Sequence, residues 1–187
     1  MVLTPSTMPE LGTTAPDFHL VDVTSGATVG RDQVRKAKGL LVLFICRHCP
    51  YVKHVQDELA RIGRDYAGRE IGIVAISAND AASHPDDAPA GLAQQAREQD
   101  FAFPYLYDET QSVARAYGAA CTPDFFLYDG DGRLFYRGQL DDSRPGNGVP
   151  VTGRDLRAAL EARLADQAAP HDQKPSIGCN IKWKGAR

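Results

Sequence analysis

Two periodicities organise this chain. Leu40-Leu41-Val42-Leu43-Phe44-Ile45 is an unbroken apolar run, the pattern of a strand whose sheet is covered by helices on both faces. Just beyond it, Val52, Val55, Leu59 and Ile62 recur at helical spacing while Lys53, Gln56, Asp57 and Arg61 face elsewhere. That spacing predicts an amphipathic helix over residues 50–66. Residues 71–77 read as a second buried strand. Residues 79–89, rich in Asp, Ala and Pro, read as a surface loop leading into a polar helix over 91–100.

The remaining elements follow from shorter signals. Residues 18–23 and 27–30 flank Thr24-Ser25-Gly26 and predict a small hairpin ahead of the main sheet. Residues 103–107 predict a short strand and 110–117 a helix. Residues 125–128 and 134–136 predict a hairpin turning on Gly130-Asp131-Gly132, and 155–165 the last helix. In the tail, Ile177, Cys179, Ile181 and Trp183 stand at alternate positions, which places all four on one face of an extended segment docked on the body. The order describes an α/β sandwich: a central mixed β-sheet with helices on both faces, an N-terminal β-hairpin and an extended C-terminal tail.

Composition narrows the class. The 187 residues suit a single domain, with 168–187 as its tail, and 43% apolar and 24% charged residues are ordinary for a globular chain. A net charge of −3 without a basic stripe argues against nucleic acid as a partner. The longest apolar run is too short to span a bilayer, and no basic region precedes a long apolar stretch near Met1, so no membrane association and a cytoplasmic location are expected. Four cysteines in such a chain are too sparse for a disulfide scaffold and point to redox or metal chemistry. With no glycine-rich phosphate loop, neither a nucleotide nor a flavin cofactor is implied.

The chemistry concentrates at Cys46-Arg47-His48-Cys49. A Cys-x-x-Cys pair at a strand-to-helix junction can close a small disulfide ring, and its first thiol meets the partial positive charge of the helix N-terminus. Pro50 belongs in a first helical turn and would break a helix interior, so both cysteines sit at the helix start. Positive charge on Arg47 or His48 is expected to favour a Cys46 thiolate and to make the pair relatively oxidising. Half of a zinc site is the rival reading. It needs two more ligands from His48, His54, Cys121 and Cys179, which form no second knuckle of standard spacing, so no metal is expected.

Strand, Cys-x-x-Cys, helix and then Cys121-Thr122-Pro123 before a hairpin resembles the thioredoxin superfamily. The motifs from Phe44 to His54, Cys121 to Asp124, Asp141 to Asn147 and Pro175 to Cys179 are similar to its redoxin branch, the bacterial proteins grouped with alkyl hydroperoxide reductase and thiol-specific antioxidant. The resemblance implies a thioredoxin-like three-layer sandwich. It implies Cys46 as the attacking thiol, Cys49 as the resolving thiol, and Thr122-Pro123 as a facing loop with a cis peptide bond against which substrate backbone pairs. Arg47, His48 and Thr122 would then border the substrate. Protein or small-molecule thiols and disulfides are the implied partners, with an electron donor the sequence leaves unnamed. This chain departs from its relatives at three places: Ile45 replaces the usual tryptophan, Leu40 the buried acid, and Leu43 the threonine that precedes a peroxidatic cysteine.

The resemblance also places Cys121 beside the pair, where it can trap or resolve a disulfide or simply pack as a small hydrophobe. Cys179, carried on the tail, can reach Cys121 or the active pair, or only pack. His54 reads as a solvated helix histidine; His19, His84 and His171 have no evident partner. Asp141-Asp142-Ser143 reads as a polar turn held by Arg144, since it lacks calcium-loop spacing. Tyr51, Phe101, Phe103 and Tyr105 read as core or groove-lining residues. The favoured function is thiol–disulfide exchange through a mixed disulfide on Cys46. The alternatives are thiol-dependent peroxide reduction, and a non-catalytic redox sensor or metal binder.

Overall fold

A computed structural model describes residues 3–185. The apolar run is strand β4, Gly39–Phe44, and every residue of it is buried. Its alternation explains why no polar position interrupts it. Leu41 and Leu43 point to one side of the sheet, and Leu40, Val42 and Phe44 to the other. The first side packs against helices α2 (Pro50–Asp65), α3 (Pro89–Glu98) and α5 (Arg154–Leu164), through Val52, Leu59, Leu92 and Leu156 among others. The second packs against α4 (Ser112–Tyr117), Ala15 and Phe18. Each fully buried Leu or Phe contributes about 1.5–3 kcal/mol of transfer free energy, so the layers are held mainly by this one strand and its neighbours.

β4 pairs antiparallel with β8 (Asp124–Asp129), which pairs antiparallel with β9 (Leu134–Gly138). On the other flank, β5 (Ile71–Ser77) pairs in parallel with β6 (Tyr105–Tyr107), and β6 continues antiparallel to β2 (His19–Asp22) and β3 (Thr28–Gly30). The Ile45 N–H donates to the Ile76 carbonyl at 3.1 Å and joins the two halves. The sheet is therefore mixed, as expected, and the predicted N-terminal hairpin and both buried strands are present. A four-residue helix, α1 (Arg31–Val34), follows the hairpin. Among the described residues, no helix is long and apolar enough to cross a membrane.

Three points correct or extend the expectations. Residues 79–89 form the expected surface loop, with Ala82, Ser83, Pro85 and Asp86 exposed, but Pro85–Asp87 is a 3-10 turn and Asn79 and Asp87 are buried. Their polar side chains mimic loop composition but are fully used inward. The tail does not present one face. Cys179 packs with the α2 side of the sheet whereas Ile181 and Trp183 pack with the α4 side, because the extended strand β10 ends at Asn180. Third, Leu3–Pro5 forms an unforeseen strand, β1, too short to show a period.

β1, β10 (Ile177–Asn180) and β7 (Cys121–Thr122) make a second, small antiparallel sheet in the order β1-β10-β7. Cys179 is its centre, opposite Leu3 on one side and Thr122 on the other. Gly178 permits the approach, since a Cβ there would lie 2.0 Å from the Thr122 carbonyl oxygen. Gly178→Ala is expected to cost about 1–3 kcal/mol by overpacking. Faster hydrogen exchange over residues 174–183 and a lowered melting temperature are the readouts.

Beneath this sheet, Asp124 is fully buried, and burial pushes its carboxyl up to about 7 although Oδ1 accepts the Phe125 backbone N–H; Oδ2 has no partner among the described residues. A carboxyl raised in the folded state destabilises progressively as pH rises from its unfolded value of about 4 to about 7. Asp124→Asn lacks this titration. The stability difference between variant and wild type is expected to shift in favour of the variant across that window, as read by urea unfolding at pH 4 and pH 8.

Candidate active site

Cys46 follows β4, and Cys49 is the N-cap residue of α2 with Pro50 next to it in the first turn, the placement the proline predicted. Facing them is the Thr122–Pro123 peptide bond, which is cis. The Cys46 Sγ lies 3.4 Å from Thr122 Oγ1, and the Cys49 Sγ 3.3 Å from the Thr122 carbonyl oxygen. Cys46, Cys49, Thr122 and Pro123 thus converge. Cys179 joins them: its Sγ is 2.8 Å from that of Cys49. Cys121 sits next to Thr122 in β7, and its thiol bonds the Pro123 carbonyl at 3.7 Å.

The carboxylate that organises this site comes from the 3-10 turn. Asp87 Oδ1 accepts from the Arg47 and His48 backbone N–H groups at 2.8 and 3.0 Å. Its Oδ2 accepts from Asn79 Nδ2 at 2.8 Å and from His48 Nδ1 at 2.5 Å. Burial raises the Asp87 carboxyl, yet the His48 and Asn79 hydrogen bonds together outweigh it and hold the group below the usual range. His48 Nδ1 is also 3.8 Å from the Cys46 Sγ, so the N–H that it gives to Asp87 borders that thiol. His84 lies 4.6 Å from His48, ring to ring, where burial and the neighbouring imidazole depress its basicity.

This geometry reverses the expected charge distribution. Cys46 is fully buried, and burial, the Cys49 hydrogen bond and the Asp87 charge all push its thiol up. Arg47 adds nothing to it, because the guanidinium turns away to the Gly91 carbonyl and Gln94, with Glu98 nearby. The Cys49 thiol is pulled down instead, first by its hydrogen bond with Cys46 and, against burial, by that with Cys179. The Cys179 thiol moves up in turn, mainly by burial. Lowering a thiol of the reduced pair stabilises the reduced form, and the thiol drawn down is that of Cys49.

Asp87, Asn79 and His84 escaped sequence reasoning. Their one signal was an unusually long segment after β5. The sequence candidates for a second pair of zinc ligands disperse: His54 Nε2 is engaged with Ser143 Oγ at 2.7 Å, and Cys121 with Pro123. Among the described residues, Cys46, His48 and Asp87 are the group whose ligand atoms gather, within 4.8 Å of one another. The 2.5 Å contact inside that group is a direct hydrogen bond between imidazole and carboxylate. Arg144 holds the 141–143 turn by donating to the Asp141 and Ser143 carbonyls, as anticipated.

A three-layer α/β sandwich with a Cys-x-x-Cys pair at a helix start, facing a cis proline, defines a redox protein of the thioredoxin type. Residues 11–137 match the AhpC/TSA family, and the chain belongs to that family, the redoxin branch of the thioredoxin superfamily. It is 51% identical over its whole length to an uncharacterised conserved protein of Geobacillus kaustophilus, covering 99% of that chain with a TM-score of 0.97. It is 48% identical to a hypothetical protein of Sinorhizobium meliloti 1021, over 98% of this chain and all of that one, with a TM-score of 0.95. A putative thiol:disulfide interchange protein of Chlorobium tepidum shares the fold at 19% identity, over 83% and 98% of the two chains, with a TM-score of 0.64. None of the curated proteins compared with it matches the chain.

In the reduced protein, one thiolate is expected to appear, as absorbance at 240 nm, with a midpoint well below the ordinary value of about 8.5 for a free thiol. Cys49→Ser is expected to abolish that step. Its persistence in Cys49→Ser and loss in Cys46→Ser would reverse the assignment.

Proposed function

We propose that this protein is a cytoplasmic thiol–disulfide oxidoreductase that cycles a Cys46–Cys49 disulfide against protein or small-molecule disulfides. The observation that carries this reading is the meeting of both sulfurs with Thr122 beside the buried Asp87 carboxylate and its His48 partner. Cys46 rests as a thiol, so its attack requires its proton to leave. The Asp87 carboxylate, whose ligand atom lies within 4.8 Å of that sulfur, and the Cys49 sulfur are the acceptors placed to take it.

The Cys46 thiolate then attacks one sulfur of the substrate disulfide, and the other sulfur departs with its electron pair. Cys49 attacks Cys46 in the mixed disulfide, forms the Cys46–Cys49 bond and expels the second substrate thiolate. The pair has lost two electrons and the substrate gained them; a separate thiol donor restores the dithiol. A shallow depression beside Pro123, lined by Tyr51, His54, Arg144 and Ile177, is where the substrate chain would lie. Arg47, engaged on α3, is left out of that surface, and Cys121, raised by burial and bonded to the Pro123 carbonyl, out of the cycle.

Cys49→Ser, mixed with a disulfide substrate, is expected to accumulate a mixed disulfide at Cys46. Either single serine variant is expected to lose turnover at least about a hundredfold, as removal of a covalent nucleophile does. Leu43, at the position of the peroxidase threonine, is fully buried and supports disulfide rather than peroxide as substrate. Fast hydrogen peroxide consumption without disulfide exchange would overturn the proposal.

A further inference from the structure

The catalytic pair does not end at two sulfurs. Cys179 Sγ is 2.8 Å from Cys49 Sγ, against about 2.05 Å for a disulfide bond. Cys179 is held there from both sides, because β10 is the middle strand of its sheet. It is fixed in depth by the close seat of Gly178 on the Thr122 carbonyl. Beyond the strand, the Lys182 N–H donates to Asn79 Oδ1, and Asn79 in turn donates to Asp87. The tail is therefore fastened to the same carboxylate that positions the Cys46 loop. Cys46 and Cys49 have no solvent exposure and Cys179 only 1%, so the three sulfurs form one enclosed cluster.

Resting on the Cys46–Cys49 reading, we propose that Cys179 is a third redox thiol, which passes the active disulfide from Cys46–Cys49 to Cys49–Cys179. The Cys179 thiolate attacks the Cys49 sulfur of the oxidised pair. The Cys49–Cys179 bond forms, the Cys46–Cys49 bond breaks, and Cys46 leaves with the electron pair and takes up the proton that Cys179 gave up on becoming a thiolate. Two thiols' worth of oxidation is conserved, so the step needs no further oxidant. Its outcome is a Cys46 thiol returned to the reduced state while the protein remains oxidised. A donor can then reduce the protein through the tail.

The test maps disulfides after mild oxidation, acid quench and proteolysis. In Cys46→Ser, a Cys49–Cys179 peptide is expected as the main product, with a yield unchanged by tenfold dilution of the protein. In the wild type, both that peptide and Cys46–Cys49 are expected. Cys179→Ser is expected to lose the first and keep the second. If Cys46→Ser leaves Cys49 and Cys179 as thiols, or pairs either of them with Cys121 or with another molecule, the relay is wrong. A Cys46–Cys49 disulfide in Cys179→Ser then still stands for the oxidoreductase reading. If Cys179→Ser forms no Cys46–Cys49 disulfide, that underlying reading is what fails. Native hydrogen-exchange patterns of both variants establish that each is folded.

Discussion

The site depends on one buried carboxylate. Asp87 takes four hydrogen bonds, two from the backbone of the Cys-x-x-Cys loop, one from His48 and one from Asn79. A buried charge is tolerated only when it is paired and fully bonded. These donors meet that condition, and in doing so they fix the loop that carries Cys46. Asn79 spends its other end on the Lys182 amide. One acceptor thus ties together the helix start, the segment after β5 and the C-terminal tail.

That tie changes what the cysteines do electrostatically. At an exposed helix N-terminus the first thiol would be the anion, helped by the helix dipole and by any cation in the spacer. Here the spacer cations are spoken for: Arg47 serves the α3 surface, and His48 faces a carboxylate. Cys46 is left buried beside the Asp87 carboxylate, so it holds its proton. Cys49 donates toward the Thr122 carbonyl and the Cys179 sulfur, and its thiol is the one drawn down, first by its contact with Cys46.

Much of the fold was legible because β4, α2 and β5 carry long, strong periods, and a six-residue apolar run has few alternative uses. The Cys-x-x-Cys placement was legible because Pro50 has few tolerated positions. Polar residues that turn inward were not. Asn79 and Asp87 sit among Asp, Ala and Pro and look the same whether they face water or a thiol, and only tertiary contact separates the two cases. Likewise Leu3–Pro5 is too short to show alternation, and the period-2 tail misled beyond Asn180, where the extended strand ends and Ile181 crosses to the other side of the sheet. Cys179 was visible as a thiol on an extended arm; its partner was not, because register, not spacing, brings it to Cys49.

The missing buried acid at Leu40 finds its physical counterpart in this arrangement. A thiol pair closed off from solvent needs somewhere for protons to go, since neither sulfur can exchange directly with water. An acid beneath the pair, on the sheet, would meet that need from below. In this chain the sheet position is given over to packing, as Leu40 is fully buried among Phe44, Val74 and Tyr128. The carboxylate arrives instead from the side, on the turn at residues 85–87, bonded to a mostly buried His48. Leu40 faces the α4 side of the sheet whereas Cys49 and Cys179 pack on the α2 side, so an active pair without its usual acid draws its carboxylate from a turn beside it rather than from the strand below.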